Sequence, residues 1–154
     1  MEIGQRGLDL IKRFEGYSSR AYLCPAGVWT IGYGTTRING LPVRPGMTCD
    51  HEEAEEWLRQ DCNTTAAGIY PLIYADLHQN QVDALISFAY NLGVGAFKSS
   101  SLRRAINTGQ EVYEDLFTRW SKARDPRTGK LRVLPGLLAR RKQEYVLFSE
   151  VSNA

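Results

Sequence analysis

Glu15, Cys24 and Thr30 place a carboxylic acid, a thiol and a hydroxyl within sixteen residues, at gaps of nine and six. These are the groups needed to protonate a leaving group, to take a proton from water or attack carbon, and to hold a water in place. Glu15 follows Phe14 and precedes a run of aromatic β-formers, so its carboxyl is expected to be shielded from bulk water, the setting in which a carboxylic acid keeps its proton. Taken singly, the three residues also fit blander roles: a surface residue at a helix end, a small core thiol and an ordinary strand threonine.

The elements around them decide whether they can converge. Residues 4–14 carry Leu8, Leu10, Ile11 and Phe14 at helical spacing, with Asp9, Lys12 and Arg13 off that face, and Gly16 is a natural stop. Residues 17–46 change character. Tyr17, Tyr22, Val28, Trp29, Ile31, Tyr33, Thr35 and Thr36 favour strands, Pro25-Ala26-Gly27 and Asn39-Gly40 supply turns, and a small twisted antiparallel sheet is predicted. Thr48 and Asp50 are N-cap candidates for a long helix to about residue 68, with Ala54, Trp57, Leu58, Cys62, Ala66 and Ile69 as its apolar stripe.

Beyond Pro71 the pattern is helical. Helices are predicted over 79–91, from Ser99–Ser101 to about Gly109, over 110–120, and from Pro135 to about Phe148, with loops at 93–97 and 125–129. A small β-rich part and a larger helical part, joined by the 48–68 helix, make an α+β domain of two lobes with a cleft between them. Residues 1–154 read as one domain, without internal repeat or linker.

Composition narrows the function classes. The 154 residues are 43% hydrophobic and 23% charged, which excludes disordered, collagenous and coiled-coil classes. Apolar runs are short, so no membrane-spanning helix is expected, and the N-terminus lacks the basic-then-apolar pattern of a signal peptide. Cys24, Cys49 and Cys62 are odd in number and read as free thiols. With only His51 and His78 beside them, no metal site or cofactor is expected. Net charge is +2 but uneven: Asp50–Asp61 holds six acids and one Arg, whereas Lys98–Lys142 holds twelve bases and four acids. A basic stretch of this kind suits a polyanion, and equally a solvated helical surface. No nucleic-acid recognition motif accompanies it.

The chain resembles the phage-type lysozymes, or endolysins, of glycoside hydrolase family 24. In that family a Glu is followed nine residues later by an Asp or sometimes a Cys, and six later by a Thr. Glu15, Cys24 and Thr30 match, as does the run Thr30-Ile31-Gly32-Tyr33-Gly34. The likeness continues through Asn80–Gly93 and Pro135–Arg141, in order along nearly the whole chain. It implies a lysozyme-like fold and cleavage of bacterial peptidoglycan between N-acetylmuramic acid and N-acetylglucosamine. Glu15 would be the general acid and Thr30 would position water or an intermediate. For Cys24 three roles stand open: thiolate base, nucleophile, or assisting polar group.

Gly32 and Tyr33 would line the cleft floor, Tyr90 and Asn91 would meet the sugar from the helical lobe, and Arg140 or Arg141 would orient Glu15. The resemblance further implies a monomer that accumulates in the host cytoplasm. It would reach the wall or periplasm through a separate holin, with contact to an anionic membrane or wall surface open to its basic stretch. The competing readings are a lytic transglycosylase, which needs only one acid, and a weakly catalytic wall-binding module.

Overall fold

The computed structural model describes residues 1–150. Helix α1 spans Gln5–Glu15, and the chain then forms four short strands: β1 (Ser18–Leu23), β2 (Trp29–Gly32), β3 (Arg37–Ile38) and β4 (Leu41–Pro42). Helix α2 (His51–Ile69) ends in a single 3-10 turn at Tyr70–Leu72 and leads to α3 (Gln79–Leu92), α4 (Val94–Ser99), α5 (Ser101–Asn107) and α6 (Glu114–Thr118). A hairpin of β5 (Lys122–Arg124) and β6 (Leu131–Val133) precedes the last helix, α7 (Pro135–Ser149). The α+β class expected from sequence is the one found.

The helical lobe is organised around α3. Its residues from Val82 to Ala89 are all buried, including Asp83 and Ser87, so this helix is enclosed on every side. Helices α1, α2, α4 and α7 pack around it. Phe88 on α3 meets Phe97, Phe117 and Trp120 edge-on, with ring centroids 5.9–6.4 Å apart. Helix α1 lies against α3 so closely that a Cβ at Gly7 would sit 2.8 Å from Asp83 Cβ. Its N-cap residue, Gly4, has no side chain to satisfy the first-turn amides. Asp83 does so from α3 instead, accepting from the Gly4 and Gly7 amides at 2.8 and 3.2 Å. That cross-helix cap fixes the near end of α1, and therefore the direction in which its last residue, Glu15, is presented.

In the β lobe, β1 pairs antiparallel with β2 and β3 with β4 as separate two-stranded units. The single sheet expected over 17–46 is thus two ribbons. Residues 47–49 extend the first of them on its other side: the Ala21 amide donates to Met47 O and the Cys49 amide to Ser19 O, both at 2.9 Å. Thr48 is spent in that pairing, bridging Arg20, and Asp50 alone caps α2. Asp50 and Glu53 form a reciprocal capping box, with the Glu53 amide 2.8 Å from Asp50 Oδ1.

Gly32 joins the lobes. Its φ is +65°, and a Cβ there would lie 2.9 Å from Ala54 Cβ on α2. Gly32→Ala combines left-handed strain with overpacking at this joint. It is expected to lower stability by about 1–3 kcal/mol, measured by urea or thermal unfolding.

Two further expectations change. The glycine loop at 93–97 becomes α4, because Gly93 (φ +97°) ends α3 and the chain re-enters a helix at once, burying Phe97 completely. The helix expected over 110–120 is only α6; residues 110–113 lie in no helix, and Tyr113 is extended. The polar loop expected at 125–129 is found, as the turn of the unforeseen β5–β6 hairpin, closed by the Asp125 amide on Lys130 O at 2.9 Å. Each ribbon or helix here is too short for periodicity to reveal.

Candidate active site

Glu15 is the last residue of α1. Gly16 (φ +73°) turns the chain away, its amide closing the helix on Lys12 O at 3.3 Å. The Glu15 side chain is 25% exposed and its Oε1 accepts from Arg140 Nη1 at 2.9 Å. Its other oxygen, Oε2, faces Gly34 in the β lobe, where a Cβ would stand 3.3 Å away. Gly34 has φ +91° as well, so both backbone shape and space favour glycine there. One carboxylate oxygen is therefore tied to the helical lobe and the other is left open beside the β lobe. In place of the aromatic shielding expected around Glu15 stands a guanidinium, whose Cζ lies 6.0 Å from the Phe14 ring centroid.

Arg140 is held from behind. Its side chain is 4% exposed. Nε reaches Glu144 Oε2 at 3.4 Å, and Nη2 reaches Ser87 O at 3.3 Å and Ser87 Oγ at 3.4 Å. Arg141, the other arginine expected beside Glu15, turns into the core instead. Its Nε is 2.7 Å from Glu144 Oε1, its Nη2 donates to Glu144 Oε2 at 3.1 Å, and its guanidinium carbon stands 5.3 Å from the Phe88 ring centroid.

Cys24 sits at the β1–β2 turn. Its amide donates to Val28 O at 3.0 Å and its carbonyl accepts from the Gly27 amide at 2.8 Å. The backbone amides of Val28 and Ala26 and the Thr30 hydroxyl are near enough to the sulfur to favour its thiolate. Chiefly through the Val28 amide, they hold the thiol below its ordinary range, against a smaller opposing effect of burial. The other two thiols go the opposite way. Burial raises Cys49, and pushes Cys62, completely buried on α2, up to about 12. The structure thus shifts one thiol toward ionisation and the other two away from it.

Thr30 is 5% exposed and its Oγ1 donates to Val28 O at 3.0 Å. Tyr90, on α3 and packed against the core, is raised first by burial and then by the Glu15 charge, so its hydroxyl stays neutral. The neighbouring Asn91 has a shielded Oδ1 without a partner. Gly32 and Tyr33 lie deeper. Gly32 abuts Ala54, and Tyr33 is 8% exposed, with Lys12 Nζ 5.4 Å above its ring and its hydroxyl 3.3 Å from His51 Nδ1. The sequence reading missed Gly34, Ser87 and Glu144. Gly34 carried a signal in its place within the Thr30–Gly34 run, whereas Ser87 and Glu144 looked like ordinary helix residues.

The phage lysozyme sequence family matches residues 12–144, a span that takes in Glu15, the β lobe and α7 as far as Glu144. The chain belongs to the phage lysozyme family. It is 41% identical to an endolysin of Acyrthosiphon pisum secondary endosymbiont phage 1 over 96% of its length and 98% of the relative's. It is 36% identical to an endolysin of Salmonella phage P22, over 96% and 98% of the two chains. A solved endolysin from Escherichia coli O157:H7 phage FAHEc1 superposes with a TM-score of 0.88 at 37% identity, covering 97% of this chain and 94% of that one. The muramidase domain of SpmX from Asticaccaulis excentricus superposes with a TM-score of 0.86 at 35% identity, covering 97% and 99%. As a phage lysozyme this is a glycoside hydrolase that degrades peptidoglycan, and its fold is the two-lobed one of that family. Among the described residues no helix is long and apolar enough to cross a membrane.

Proposed function

We propose that the chain, acting through one catalytic domain over residues 1–154, hydrolyses the bond between N-acetylmuramic acid and N-acetylglucosamine with Glu15 as general acid and Cys24, as thiolate, as the second catalytic group. The observation that carries this reading is the opposite treatment of the two Glu15 oxygens: Oε1 bonded to Arg140, Oε2 free and facing the β lobe. The proton goes from Oε2 to the glycosidic oxygen as the bond to the anomeric carbon breaks. Water attacks that carbon and gives a proton to the Cys24 sulfur.

The turn around Cys24 suits an anion, since it offers backbone amides as the carboxylate of an Asp would require. Thr30 serves both states of the sulfur. Its hydroxyl donates to Val28 O while Cys24 is a thiol, and is within reach of the thiolate when the proton is gone. Tyr90 and the Asn91 Oδ1 would bond sugar hydroxyls and acetamido groups, whereas Gly32 and Tyr33 would act by holding the β lobe against α2. Peptidoglycan is the partner. A monomer released through a separate holin from the host cytoplasm to the wall or periplasm completes the reading, by likeness to the family.

A Cys24 series tests the second group. Cys24→Ala is expected to lose about 10²–10³-fold in kcat, and Cys24→Asp to keep substantial activity. The thiolate fraction rises with pH, so wild-type activity should climb along an alkaline-going limb placed below an ordinary thiol pKa; Cys24→Asp should move that limb several units to acid. Full activity of Cys24→Ala would remove the thiol from the mechanism. Mass spectrometry of the products separates hydrolysis from the competing transglycosylase reading, because anhydro-muramic ends would show that water is not the acceptor.

A further inference from the structure

We propose that Glu144, with Ser87, is a positioning residue for the catalytic acid: it fixes the Arg140 guanidinium from the core side and neutralises Arg141, so that a single guanidinium nitrogen is presented to Glu15. The inference rests on the general-acid assignment of Glu15.

Arg140 divides its donors by direction. Nε and Nη2 point into the protein, onto Glu144 Oε2, Ser87 O and Ser87 Oγ at 3.3–3.4 Å, and only Nη1 points out, onto Glu15 Oε1 at 2.9 Å. Ser87 Oγ donates to the same Glu144 oxygen at 2.5 Å, which closes a ring of contacts between α3 and α7. Glu144 is completely buried, as is Arg141, and Arg140 is 3% exposed. Burial pushes the Glu144 carboxyl up, and the guanidiniums of Arg141 and Arg140, both within 3.4 Å, oppose that push.

With Glu15 ionised, the group holds two positive charges, on Arg140 and Arg141, and two negative ones, on Glu144 and Glu15; when Glu15 carries the proton it delivers, Glu144 is the one remaining counter-charge. Charges so far from water must balance locally. Glu144 is the only carboxylate that meets Arg141 among the described residues, which leaves Arg140 to serve Glu15. Without the Glu144 charge, Glu15 becomes the nearest counter-ion for both arginines. It would be drawn toward the helical lobe, taking Oε2 off the line to the β lobe. A displacement of a catalytic group by about 1 Å is enough to cost roughly 10²-fold in rate.

The test is Glu144→Gln, which keeps the shape, removes the charge and turns one of the two oxygens facing the guanidiniums into a donor. Steady-state kinetics on soluble peptidoglycan fragments are read below the variant's melting temperature. The expected result is a fall of about 10–100-fold in kcat with KM within about twofold. The double variant Glu144→Gln/Arg141→Met removes the surplus cation as well and should recover kcat to within about fivefold of wild type. If Glu144→Gln does not fold, Ser87→Ala carries the test, with an expected drop of about 3–10-fold in kcat at unchanged KM. A kcat within twofold of wild type in folded Glu144→Gln, or in folded Ser87→Ala, overturns the proposal. So does a double variant no better than the single. An active Glu15→Gln enzyme would instead remove the general-acid assignment, so the two failures are told apart.

Discussion

Glu15→Gln is expected to reduce peptidoglycan hydrolysis by about 10³-fold or more while leaving the protein folded. The carboxamide is nearly isosteric, and its oxygen can still accept from Arg140 Nη1 in place of Oε1 at 2.9 Å. What it lacks is a transferable proton on the side facing Gly34. General acid catalysis alone is worth about 10²–10⁴-fold, and departure of an unprotonated sugar alkoxide is unfavourable enough to put this case in the upper part of that range. The cost to stability should be small, about 1 kcal/mol. The position is a quarter exposed and Arg140 keeps its contacts with Glu144 and Ser87. Release of reducing ends from purified peptidoglycan, with a melting curve on the same sample, checks both halves. Lysis at the wild-type rate would remove Glu15 as the acid.

Arg140→Met should damage both stability and activity. Truncating one partner of a buried ion pair usually costs about 3–5 kcal/mol, because the other charge is left stranded. Here the residue left behind is better off than most. Glu144 retains Arg141 at 2.7 Å, and Glu15 lies near enough to solvent to be hydrated. The lower end applies, about 3 kcal/mol, which for a chain of this size lowers Tm by roughly 6–12 °C. Activity should fall by about 10²-fold at temperatures where the variant is folded, since nothing then ties Oε1 to the helical lobe. A variant that is destabilised but fully active would show that Arg140 serves only the core. Arg140→Lys is expected to rescue little, because an ammonium cannot span Glu144, Ser87 and Glu15 as the planar fork does.

The sequence alone determined whatever local chemistry dictates. Helix α1 with its stop at Gly16, a cap of α2 at Thr48 or Asp50, Pro135 at the start of α7 and the turn at Pro25–Gly27 follow from spacing, capping residues and backbone preference. The order Glu15, Cys24, Thr30 was legible too, and its likeness to the phage lysozymes anticipated the family. Tertiary structure decided what depends on residues far apart in the chain. Asp83 caps a helix 76 residues away, Arg140 meets Glu15 across 125 residues, and Arg141, its neighbour, faces the core instead. No local pattern separates those two arginines; a helix turns by about 100° per residue, and only the placement of α7 against α3 says which of them looks into the cleft. The same holds for the thiols. Cys24, Cys49 and Cys62 differ little as letters in a sequence. The amides of the β1–β2 turn depress Cys24, while burial in the fold raises the other two.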